Sequence, residues 1–132
     1  MKPIKKRRDC SFGIHFDFHL FPGQIVAEIL EKDGLIRILD EVKPDFMHCD
    51  TKGHPGYSSY PTQYGTPGAE IRCDILKMWR ELTAERGIAL YAHHSGIYDK
   101  RAVELHPDWA VVERNGVVNR ELTSVFSPYA DI

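Results

Sequence analysis

Residues 12–20 read FGIHFDFHL, and this stretch constrains the chain more than any other. Polar and apolar residues alternate without a break: His15, Asp17 and His19 fall on one side, and Phe12, Ile14, Phe16, Phe18 and Leu20 on the other. A period of two is that of a β-strand, so three groups able to bind ligands or move protons share one face. The aromatic face needs a cover, which helices supply. The polar face then looks into a space that is neither bulk water nor an apolar core, as the inner mouth of a barrel is.

With 132 residues, the chain can build one modest domain with a core. A hydrophobic fraction of 42% argues against disorder, and a net charge of −2 gives no general case for nucleic-acid binding. The basic run at residues 5–8 is local, and residues 1–10 read as a flexible, solvated terminus. No apolar run reaches the roughly 20 residues of a membrane helix, and no secretory leader follows the charged start. No membrane partner is therefore expected, and a cytoplasmic location is. Cys10, Cys49 and Cys73 form neither a disulfide framework nor a zinc knuckle, and read as free thiols.

The pattern along the chain is strand, helix, strand, helix, strand. Residues 24–42 read as a helix with an apolar stripe of Ile25, Val26, Ile29 and Leu30. Asp33-Gly34 interrupts it before Leu35, Ile36 and Leu39, and Lys43-Pro44 ends it. A second strand follows at 45–50, then a Gly/Pro/Tyr-rich loop at 51–68. A helix at 69–86 ends at Gly87, and a third strand occupies 88–94. Asn115-Gly116 predicts a hairpin between 110–114 and 117–120. Ser127-Pro128 is a start signal for another helix. This order predicts an α/β fold with a parallel βαβαβ sheet and right-handed crossovers. A closed barrel takes about 250 residues, so residues 11–132 read as the first three βα units of a TIM-type (β/α)8 barrel, truncated within a longer protein.

In such folds ligands sit at the C-terminal ends of the strands. There the sequence turns polar. His48 and Asp50 share a face on the second strand, followed by Lys52 and His54; Tyr91 and His93 share a face on the third, with His94 opposite. Five of the seven histidines lie in or just beyond these strands. Asp17 buried in a strand would cost several kcal/mol unless paired, so an adjacent histidine or a ligand is expected. The 51–68 loop is long for a βα connection. Its Tyr57, Tyr60 and Tyr64 offer flat apolar faces with hydroxyl tips, suited to sugar C–H faces, or they hold a self-packed loop together. Trp109 in His106-Pro107-Asp108-Trp109 is a further candidate platform, with local packing as the alternative. The residues expected to bind substrate are His15, Asp17, His19, His48, Asp50, Lys52, His54, Tyr57, Tyr91 and His93.

Three segments, FGIHFDFH, HCDTKGHPGYSSYPT and GIALYAHHSGIYD, carry a resemblance. From Ser11 onward the chain resembles the N-terminal region of glycosyl hydrolase-like proteins of the sixth such family, related to the barrel domains of alpha-L-fucosidases and some beta-galactosidases. The resemblance implies a carbohydrate substrate and no organic cofactor. It implies a sugar contact for His15 and a matching aromatic at Tyr91. Phe16-Asp17 stands where fucosidases have tryptophan and glycine, so fucose specificity is not carried over. The family's nucleophile is an aspartate on a later strand. The resemblance therefore implies glycosidase activity for a full-length protein, with the nucleophile beyond Ile132 and the isolated chain inactive. Two carboxyl groups would flank the bond, about 5–5.5 Å apart in a retaining enzyme.

Two other readings come from the residues. The His/Asp cluster could hold zinc or a similar ion in a metal-dependent amidohydrolase barrel, although such barrels open with histidines two apart and here the spacing is four. The chain could also be a non-catalytic carbohydrate-binding fragment.

Overall fold

The computed structural model describes residues 2–28 and 31–131. Three parallel strands form its centre: β1 (Gly13–Phe16), β3 (Phe46–Lys52) and β7 (Ala89–His94), with β3 in the middle. The register sets His15 beside His48, His48 beside Tyr91, and Asp50 beside His93. At its C-terminal end β3 also takes β4 (Tyr57–Ser58) antiparallel, and β5 (Thr66–Pro67) pairs with β4. The long loop is thus held to the sheet. Ser59 adds to this, its hydroxyl donating to the carbonyls of Asp50 and Thr51.

Alternation along β3 separates the two faces. Met47 and Cys49 are buried on one side with Leu39, Met78, Trp79, Leu82 and Ile88. These come from helices α1 (Lys32–Val42) and α2 (Ile75–Arg86) and from the link between α2 and β7. Burial raises the Cys49 thiol pKa to about 11, so it behaves as a small apolar residue. Phe16 from β1 packs on Trp79, ring centres 5.0 Å apart. On the opposite face Gly13 leaves the space that the Phe46 ring fills; a Cβ there would lie 2.3 Å from the ring.

Helix boundaries follow local chemistry. Asp74 accepts the Lys77 N–H and caps α2, while Gly87, at φ 73°, ends it in the left-handed region. The expected helix over 24–42 is corrected. Ile25–Val26 form a short strand, β2, parallel to β6 (Glu70–Ile71), and α1 begins only at Lys32. Asp33-Gly34 lie in the first turn of α1 rather than interrupting a longer helix. Ile29 and Leu30 lie outside the described residues. The second helix begins at Ile75 rather than at 69, because Glu70–Ile71 are spent on the pairing with β2.

Beyond β7 come α3 (Lys100–Leu105), capped by Asp99, and a hairpin of β8 (Ala110–Val112) and β9 (Val118–Thr123). The Ser127-Pro128 signal produces one 3₁₀ turn, Pro128–Asp131. Among the described residues, no helix is long and apolar enough to cross a membrane. The architecture is α/β with a parallel three-stranded centre and helices on one face.

Asp45 fastens the start of the sheet. Its Oδ2 accepts the Ser11 N–H at 2.8 Å, the Phe12 N–H at 3.1 Å and the Ser11 hydroxyl at 3.1 Å, and its Oδ1 pairs with Lys5. Hydrogen bonding to Lys5, then to the Ser11 and Phe12 backbone, holds its carboxyl far below the usual range. A depressed folded-state value means the contribution is complete above about pH 4 and is lost as pH falls through that value. Asp45→Asn should lower the melting temperature at neutral pH and flatten the acid side of the stability curve. Superimposable curves for the two proteins would show that Asp45 carries neither effect.

Candidate functional site

Asp50 lies at the C-terminal end of the central strand, on the face away from the helices. Only 1% of its side chain is exposed. An ionised carboxylate so placed requires donors. His93 Nδ1 lies 2.8 Å from Oδ1, and His15 Nε2 lies 3.4 Å from the same oxygen. His19 Nε2 stands 3.5 Å from Oδ2, which accepts no hydrogen bond among the described residues. Burial by itself would raise this carboxyl's pKa. The hydrogen bond with His93 and the charges of His93 and His15 work against burial, and the group is held below the ordinary value.

His48 joins this group. His48 is 4.5 Å from His15 and 5.3 Å from His93, ring centre to ring centre. Burial, then the neighbouring His15 and His93, lowers the His48 pKa, favouring a neutral ring. His15 and His93 keep 46% and 42% of their side chains exposed, so the cluster opens to one side. A neutral imidazole offers one donor and one acceptor, which suits hydroxyl groups.

β1 ends at Phe16, so the alternation does not extend to Leu20 as strand. Asp17 and His19 reach the cluster from the irregular segment that follows instead. The expected pairing of Asp17 is present, with His19 Nε2 at 3.1 Å, but its side chain is 66% exposed rather than buried. His15, Asp17 and Asp50 each present one ligand atom, and these three atoms lie within 4.8 Å of one another.

The other expected site residues are placed apart from this group. Tyr91 packs edge-on against Phe46 and under Arg7, towards the start of the strands. His54 stacks on Tyr98 and touches His19, ring centres 4.5 and 4.7 Å apart. With Tyr57 and Phe21 these rings line a cleft of about 350 Å³ beside the cluster. Tyr64 projects to solvent. Trp109 stacks on His106 at 3.8 Å, which is local packing.

Lys52 is buried, not solvated. A register shift between Asp50 and Lys52 accompanies its turn away from the histidines. Its ammonium pairs with Asp99 and donates to the Tyr129 hydroxyl at 2.6 Å; that hydroxyl donates to Asp99 at 2.8 Å. Burial and the Asp99 carboxylate raise the Tyr129 pKa, keeping the phenol protonated. The triad lines a second cavity of about 410 Å³, with His94 and Thr123. Sequence reasoning missed this network. Its only local signal is Asp99 at a helix N-cap position, and its partners lie 47 and 30 residues away.

No family model matches the chain, and no curated protein matches it. Among solved structures, the fold is similar to part of alpha-L-fucosidase isoenzyme 2 from Paenibacillus thiaminolyticus, with a TM-score of 0.82 and 18% identity. The match covers 91% of this chain and 20% of that one, so the chain spans about one fifth of the fucosidase's length.

Removing one member of a buried ion pair strands the other. Asp99→Ala should therefore destabilise the fold by about 3–5 kcal/mol, measured by urea unfolding. A loss within the roughly 0–1 kcal/mol of an exposed pair would mean that Lys52 finds water or another partner.

Proposed function

We propose that this chain supplies the sugar-positioning part of a glycoside hydrolase-like barrel, with residues 11–132 forming its first three βα units. The observation that carries this reading is the group of His15, His48, His93 and Asp50. These residues converge at the C-terminal strand ends, where parallel α/β folds bind ligands. The fold likeness to a fucosidase supports it.

In this reading the ring nitrogens donate to and accept from sugar hydroxyls, while Asp50 fixes how the rings are turned. Tyr57, His54 and Tyr98 offer ring surface to a sugar's C–H face in the adjoining cleft. Lys52 acts through its ion pair as a support for the 51–68 loop rather than as a sugar contact, and Tyr91 packs against Phe46 and under Arg7 instead of joining the proposed contacts. The proposal gives this chain no nucleophile. The catalytic aspartate belongs to a later strand of the full-length enzyme, and the isolated chain binds sugar without hydrolysing it. No organic cofactor is needed for this chemistry.

Saturation-transfer NMR against a panel of monosaccharides, including fucose and galactose, tests the reading. At least one sugar should give transfer to its ring protons, and His48→Ala should abolish it while His106→Ala leaves it unchanged. No transfer to any sugar, or equal transfer in His48→Ala, would contradict the proposal.

A further inference from the structure

We infer that His15, Asp17 and Asp50 form a site for a divalent first-row transition ion of the zinc or manganese kind. The three ligand atoms lie within 4.8 Å of one another, close enough that small side-chain shifts would bring all three onto one ion. Four-coordinate zinc with bonds of about 2.0–2.2 Å sets neighbouring ligand atoms about 3.4 Å apart. His15 Nε2 and Asp50 Oδ1 are 3.4 Å apart. That separation exceeds a good N–H···O bond and matches two donors sharing an ion.

An independent observation points the same way. Asp50 Oδ2 belongs to a side chain only 1% exposed, yet among the described residues it accepts no hydrogen bond. A buried carboxylate oxygen left so is costly, and a cation held by both oxygens of the carboxylate satisfies it. Two carboxylates would balance the charge of a divalent ion.

The surroundings suit such a site. His93 Nδ1, at 2.8 Å from Asp50 Oδ1, orients that carboxylate from behind. His19 Nε2, at 3.1 Å, does the same for Asp17. Ligating groups are typically held by hydrogen bonds of this sort. One imidazole and two carboxylates favour zinc or manganese over calcium, which takes six to eight oxygens. Three protein ligands leave a position for water or a hydroxyl oxygen on the open side, where His15 is exposed.

The inference rests on donor geometry and not on the sugar reading, and its test contains no sugar, so the two fail separately. The protein is stripped with a chelator and titrated with zinc and with manganese. Bound metal is read by elemental analysis after gel filtration, and cobalt is added as a spectroscopic probe. The expected result is about one equivalent per chain. Affinity should fall by more than about tenfold in Asp17→Asn and in Asp50→Asn, and stay unchanged in His106→Ala. Asp17 is exposed, so its variant should keep the fold, which circular dichroism checks. Wild-type protein that binds none of these metals, or an Asp17→Asn protein that binds as tightly as wild type, overturns the inference.

Discussion

The Asp50 carboxylate is buried at the end of the central strand, and much of the surrounding structure follows from keeping it there. Its neighbours in register are the strands that carry His15 and His93, and both rings turn towards it. In the segment after β1, Asp17 and His19 reach the same point. On the other side of β3, one residue away, Cys49 belongs to the apolar core beneath the helices. The central strand thus joins a dry face, which holds the fold together, to a polar face, which carries the histidines.

The part of the site that was legible in the sequence is the part set by strand alternation. His48 and Asp50, and Tyr91 and His93, are two residues apart, and the pleat fixes their common face. The cross-strand register then decides which of them meet. It brings His93 to Asp50 and leaves Tyr91 beside His48, a step towards the strand starts. Strand alternation does not account for Asp17 and His19, because the strand stops at Phe16; their contacts with each other and with Asp50 bring them to the cluster.

What was not legible depends on distant partners. Ile25 and Val26 satisfy helix and strand periodicities equally over two residues, and only pairing with Glu70 and Ile71 decides between them. Lys52 carries no local sign of burial; its turn away from the histidines accompanies a register shift, and its charge is met by Asp99 and Tyr129. The fold as a whole was more readable, because alternating strands and capped helices are local signals. Gly87 marks the end of the second helix in sequence and in structure alike, whereas its start at Ile75 depends on the distant pairing of Glu70–Ile71.

The central claim is that the buried Asp50 carboxylate orders the histidine cluster, and histidine side-chain NMR reaches it most directly. Long-range nitrogen–proton correlation at neutral pH should assign His93 the tautomer protonated at Nδ1, with that proton shifted downfield by its bond to Asp50. In Asp50→Asn the downfield proton should be lost and the His15 and His93 resonances should move together. A His93 ring protonated only at Nε2, or a pattern unchanged in Asp50→Asn, would contradict the account.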